Sequence, residues 1–135
     1  MAYTVVIKND DKTFPVKGLN ELLDGRVYNP RTHKYHNPVK SNNDKVCFLA
    51  IQKHLKGVRI SNPIRCTYKI YAKDKMHDRS NIYSAVEKSF LDALQQAKVI
   101  KNDGFDDVYD SVFYTVVDKY NPRIEVLIEY EVKNG

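Results

Sequence analysis

The chain is poor in cysteine and has no apolar run long enough to span a membrane. Its two cysteines, Cys47 and Cys66, sit in apolar segments. There is no Cys-x-x-C pair and no zinc-ligand spacing to His33, His36, His54 or His77. This argues against a disulfide framework and a structural zinc site, and predicts two buried free thiols in a reducing, cytoplasmic setting. No signal-peptide pattern opens the chain; Met-Ala-Tyr-Thr-Val-Val-Ile leads straight into a strand. No repeat, low-complexity tract or linker divides the 135 residues, so a single domain over residues 1–135 is expected.

Charge is unevenly distributed. The net charge is +5, but residues 1–77 hold 15 Lys and Arg against 6 Asp and Glu, a balance of +9. Residues 78–135 hold 7 against 11, a balance of −4. A basic half beside an acidic half suits a surface for polyanions next to a site for cations. A solvated surface of uneven charge is the plainer alternative.

Tyr3–Lys8 is β-branched and reads as a strand. Residues 9–40 are rich in turn formers and read as an irregular basic loop carrying Arg26, Tyr28, Arg31, His33, Lys34, Tyr35, His36 and Lys40. Basic side chains bind phosphates and tyrosines stack on unpaired bases; a surface loop with a short hairpin is the alternative. Ser41–Lys56 reads as a helix with Val46, Leu49, Ala50 and Lys53 at helical spacing and Gly57 beyond it. From Ile64 to Ala72, apolar and polar residues alternate as in a half-buried strand. Ile82, Val86, Phe90, Ala93 and Ala97 share one face of a helix over Asn81–Ala97, and Asn81, Ser84, Lys88, Asp92 and Gln95 share another. Val108–Val117 and Ile124–Val132 read as strands joined in a hairpin through Asn121-Pro122. The predicted fold is α+β: a mixed β-sheet with two helices packed on one side, in the order β-α-β-α-β-β, with the basic loop after the first strand.

The segment from His77 to Asp107 joins an acidic turn, an amphipathic helix and a second acidic turn. Carboxylate oxygens gathered from such turns are the ligands Mg²⁺ prefers. Each acid also has an ordinary role open to it. Asp78 and Ser80 can cap the helix, Asp92 can pair with Lys88 one turn away, and Asp103 can stabilise an Asn-Asp-Gly turn.

Asp78-Arg79-Ser80-Asn81, then Lys88, then Asp92-Ala93-Leu94, then Val99-Ile100 and Asn102-Asp103 follow one another over about 26 residues. In this order and register the segment resembles the RusA family of Holliday-junction resolvases, small Mg²⁺-dependent endonucleases of phages and prophages. A looser likeness extends to Gly18-Leu19-Asn20 and to the two closing strands. The chain departs from the family pattern in three places. Ser80 stands where the family has a second aspartate, Asn102 replaces the first of a pair of acids, and the helix is about one turn longer than in the shortest members. A hydroxyl in place of a carboxylate weakens a Mg²⁺ site.

The resemblance implies paired phosphodiester cleavage of branched DNA by a homodimer. Asp78, Lys88 and Asp103 would be catalytic. Asp78 and Asp103 would bind Mg²⁺, with Mn²⁺ as a substitute, and Asn81 and Asp92 would complete the shell. The family reading needs no small-molecule cofactor and no membrane. Arg26, Arg31, Lys34, Tyr35, Lys40, Lys75 and Arg79 would hold the DNA, and His77 would be a surface residue or assist a proton transfer. Two other readings stay open: a junction-binding dimer that cuts weakly or not at all, and a small phage protein that engages a protein partner.

Overall fold

A computed structural model describes residues 1–75 and 78–132. The elements are β1 (Ala2–Ile7), α1 (Leu19–Asp24), β2 (Val27–Asn29), β3 (Lys34–His36), α2 (Pro38–Leu55), β4 (Ile64–Ala72), α3 (Arg79–Gln96), β5 (Val108–Val117) and β6 (Arg123–Glu129). The fold is α+β, as the alternation of strand and helix patterns predicts. Four strands form a mixed sheet in the order β1-β6-β4-β5, and β2 and β3 form a separate two-stranded ribbon. β4 and β5 run parallel with α3 as their crossover, while β6 is antiparallel to both β1 and β4.

The alternation expected of β4 is present. Ile64, Cys66, Tyr68, Ile70 and Ala72 are buried, and Ile124, Val126 and Ile128 of β6 lie beside them on the same face. α3 covers this face with Val86, Phe90, Ala93 and Leu94. Tyr68 stacks on Phe113 at 4.8 Å between ring centres and meets Phe90 edge-on at 5.8 Å; Tyr83 of α3 stacks on Phe113 at 4.7 Å. Such aromatic pairs add about 0.5–1.5 kcal/mol each beyond area burial, so this cluster fastens α3 to the β4–β5 pair.

Both cysteines are buried and free, and burial pushes each thiol up to about 12. They are inert hydrophobes at neutral pH. The Tyr68 hydroxyl is buried without a hydrogen-bond partner among the described residues. An unsatisfied buried hydroxyl costs about 1–3 kcal/mol, so Tyr68→Phe is expected to raise the midpoint of urea unfolding by an amount worth about 1 kcal/mol. A lower midpoint would show that the hydroxyl has a partner.

The structure corrects four expectations. Residues 9–40 are not irregular throughout, since they hold α1 and the β2–β3 ribbon. Among the described residues the short α1 thus joins the two long helices that were expected. α2 starts at Pro38 rather than Ser41 because Asn37 caps it, accepting a hydrogen bond from the Lys40 amide (3.1 Å) with proline at the first helical position. Its buried residues are Asn43, Cys47, Ala50, Ile51 and Leu55, which leaves the predicted inward Leu49 exposed.

The fourth correction is topological: β5 and β6 do not form a hairpin. β4 lies between them. Residues 118–122 pass over the end of β4, where the Asp118 amide donates to the Ala72 carbonyl (2.7 Å). Arg123 then pairs with Asp118 (3.0 Å) and lies 3.7 Å over the Tyr71 ring. β6, with its alternate residues fully buried, belongs in the sheet interior; β5, largely half-buried or exposed, forms the edge.

Candidate functional site

Residues 26–36 form a projecting arm. Val27, Tyr28 and Asn29 pair with His36, Tyr35 and Lys34. The turn is closed by the Asn29 side chain, which accepts from the Arg31 amide (2.9 Å), and by His33 in the left-handed region at φ 56°. Tyr28 and Tyr35 pack across the strands at 5.2 Å, the Arg26 guanidinium sits 4.7 Å over Tyr35, and the Tyr28 hydroxyl meets His33 Nδ1 at 3.1 Å. Arg26, Arg31, Lys34, Tyr35 and His36 are all exposed. No acidic residue lies between Asp24 and Asp44, so the arm presents only positive charge and aromatic surface.

A free two-stranded ribbon is marginal in water, and this one is clamped at its base. Asn37 Nδ2 donates to the Leu22 carbonyl (2.6 Å) at the end of α1 while Asn37 Oδ1 caps α2. A Cβ at Gly25 would meet Asn37 Oδ1 at 2.7 Å and Val39 Cγ2 at 2.8 Å, so only glycine fits against the clamp. Asn37 is a residue the sequence reading misses, although an asparagine before proline at a helix start is a readable cap signal.

α1 is in turn held by α3. Asn81 Oδ1 accepts from the Asn20 amide (2.7 Å), and Gly18 approaches the Asn81 side chain so closely that no Cβ fits. The Gly18–Asn20 segment and the start of α3, both part of the family likeness, therefore touch. Asn81, expected to complete a metal shell, serves in this subunit as a joint between helices. Gly18→Ala is expected to cost about 1–2 kcal/mol by forcing α1 off α3. Unchanged urea unfolding would show that Asn81 can move aside.

Asp78 is the N-cap of α3. Its Oδ1 accepts from the Asn81 amide (3.2 Å) and the Ser80 hydroxyl (3.0 Å). Ser80, in place of an acid, thus braces Asp78. Arg79 and Lys75 are exposed beside it. His77 lies outside the described residues. Lys88 is exposed midway along α3.

Asp103 lies beyond the other end of α3. The chain there is pinned by the Ile60 amide on the Val99 carbonyl (2.8 Å) and the Ile64 amide on the Asp107 carbonyl (2.9 Å). The turn starts at Gly104, two residues later than predicted, with the Gly104 carbonyl accepting from the Asp107 and Val108 amides. The 18 residues of α3 measure about 27 Å, so Asp78 and Asp103 occupy opposite ends of the crossover in one subunit.

Asp92 and Lys40 are given to each other. Lys40 Nζ contacts Asp44 (2.6 Å) and Asp92 (3.2 Å), tying α2 to α3. Burial works against the ammonium, but hydrogen bonds to Asp44 and Asp92 outweigh it and hold Lys40 above the ordinary lysine value. In this subunit Lys40, expected on DNA, and Asp92, expected on a metal, are paired with each other across the two helices.

Mg²⁺ takes oxygen ligands at about 2.1 Å. Among the described residues no three His, Cys, Asp or Glu side chains gather closely enough to hold a metal ion, and the separation of Asp78 from Asp103 explains why the predicted set does not. Among the described residues no helix is long and apolar enough to cross a membrane. A scan against protein-family models matches none, and a comparison with curated proteins finds no match.

Proposed function

We propose that this protein binds branched DNA through the 26–36 arm and acts as a junction endonuclease of the RusA type. The arm carries the reading. A two-stranded ribbon is one of the elements that the major groove accommodates, and exposed tyrosines flanked by arginine and lysine suit unpaired bases beside phosphates. Arg26, Arg31, Lys34 and Tyr35 contact the DNA, with Lys75 and Arg79 at the head of α3 as further phosphate contacts. Mg²⁺ or Mn²⁺ is the cofactor the reading requires, with Asp78 and Asp103 as its acids and Lys88 as the group facing phosphate charge.

A second reading, a dimer that binds junctions without cutting them, is favoured by one observation: Asp78 caps a helix that holds it a full helix length from Asp103. Incubation of the protein with a mobile four-way junction, with and without Mg²⁺, separates the two. The endonuclease reading expects paired nicks only with metal. Binding without nicks in Mg²⁺ or Mn²⁺ supports the second reading, and no preference for the junction over linear duplex removes both.

A further inference from the structure

Leu49 is the outlier of α2. Helical spacing predicts it inward, yet it is 56% exposed, and its exposed neighbours on the helix, Lys45, Gln52 and Lys53, are polar. A lone exposed leucine needs no explanation. This one lies in the middle of a groove between α2 and the end of β1. Two adjoining hollows form the groove, and Asn9, Val46 and Leu49 line both. One hollow continues over Val6 and Ala50, the other over Phe14 and Val39.

The groove is basic in both halves. Exposed Lys8 and Lys53 line one hollow and exposed Lys17 and Lys45 the other, against a single acid, Asp10, among the described lining residues. The acids nearby have partners. Asp11 accepts from the Thr13 amide (3.0 Å) and hydroxyl (2.6 Å). Asp44, the one acid of α2, holds Lys40. Glu125, opposite Val6 across the strand pair, faces Arg123 at 3.7 Å.

One wall of the groove is an unpaired strand edge. β1 stands at the edge of the sheet and contains no charged residue and no proline, so it lacks two devices that commonly blunt an edge. Met1 and Tyr130 exchange both main-chain bonds (2.7 and 3.0 Å). Bonded and non-bonded pairs alternate along an antiparallel ladder. Tyr3, Val5 and Ile7 therefore bond to β6, whereas Ala2, Thr4 and Val6 direct their N–H and C=O groups outward. Among the described residues no backbone group outside the sheet bonds to these three.

We infer that this groove binds an extended, acidic segment of a partner protein, which adds a strand to the free edge of β1 and seats apolar side chains on Val46 and Leu49. Edge, floor and rim each select part of that ligand. The main chain of the peptide meets that of Thr4 and Val6 at strand spacing, about 4.8 Å. Its apolar side chains on the helix side of the sheet fall against Leu49 and Val46, and its acids reach the lysines in either half. A nucleic acid would match the lysines but leave the apolar floor and the outward main-chain groups without partners. The inference is independent of the endonuclease reading, because the groove includes no residue of the 26–36 arm and none of Asp78, Lys88 or Asp103.

The probe is the synthetic peptide acetyl-Asp-Glu-Val-Thr-Leu-Glu-Asp-amide, whose valine and leucine share one side of a strand with acids at both ends. It is titrated into isotope-labelled full-length protein while amide hydrogen exchange is followed by NMR. In the free protein the Thr4 and Val6 amides should exchange much faster than those of Val5 and Ile7. Saturable binding at roughly 10 μM to 1 mM suits so small an interface. At saturation, exchange at Thr4 and Val6 is expected to slow by about tenfold or more. Leu49→Glu changes an exposed side chain, so it should leave the midpoint of urea unfolding in place while weakening peptide binding by about tenfold or more. The same peptide with lysine for each acid should not bind.

The inference is overturned if Thr4 and Val6 are already protected in the free protein, or if the acidic peptide shows no saturable binding. Binding that leaves their exchange unchanged, or that is indifferent to Leu49→Glu or to the sign of the peptide's charge, overturns it too. An oligothymidylate that shifts the Val6 and Leu49 amides where the peptide does not would assign the groove to nucleic acid instead.

Discussion

Asp103→Asn is expected to slow junction nicking by about a hundredfold to a thousandfold, the cost of removing one group that stabilises developing charge, while leaving junction binding at the parent's level. Asp103 is exposed in the loop between α3 and β5, and the amide keeps the shape of the carboxylate. Stability should therefore change by no more than about 0.5 kcal/mol, so unfolding would not account for the loss of nicking. Nicked strands on a denaturing gel and a shift assay in the same buffer report the two quantities. A variant that cuts as fast as its parent would remove Asp103 from the site.

The second large effect lies in the arm. Arg31→Ala with Lys34→Ala is expected to weaken junction binding by roughly one to two orders of magnitude and to lower the slope of log K against log salt by about 1 for each phosphate no longer neutralised. Both side chains are exposed, and neither supports the turn, which is built from the Asn29 side chain and the Arg31 backbone. Lys40→Ala is the contrast. It takes a cation from between Asp44 and Asp92, so it should lower stability and leave the salt slope unchanged. If Lys40→Ala flattens the slope while the arm variant does not, the DNA surface lies along α2 rather than on the arm.

Long elements with clear periodicity are legible from residues alone. The alternation of β4, that of β6 as far as Glu129, where the strand stops short of the predicted Val132, and the Val86, Phe90 and Ala93 part of the α3 stripe stand in the structure as written in the sequence. α1 is not legible, because six residues give no full repeat of a helical pattern. The arm reads as a basic, tyrosine-bearing segment, but its strands are three residues each and polar, so alternation does not mark them. The order of β5 and β6 is easily misread because a short Asn-Pro connection usually signals a hairpin. What prevents one is β4 inserted between them, a pairing of residues distant in sequence.

The candidate site divides in the same way. The grouping of Arg26, Arg31, Lys34 and Tyr35 follows from local sequence. The Lys40–Asp92 pair does not, since 52 residues separate its members. The distance between Asp78 and Asp103 is a consequence of parallel strands. A helix crossing between parallel neighbours starts at one end of the sheet and finishes at the other, so acids flanking it cannot meet in one subunit. That parallel pairing is a property of the assembled sheet, not of either acidic turn.

The account stands most directly on recognition of branched DNA. The measurement is competition between a four-way junction and linear duplex of the same arm sequences, in Ca²⁺ so that cutting does not intervene. The account predicts at least a tenfold preference for the junction, about 1.4 kcal/mol, largely abolished in the Arg31→Ala, Lys34→Ala variant. Equal affinity for the two DNAs, or none for either, would contradict it.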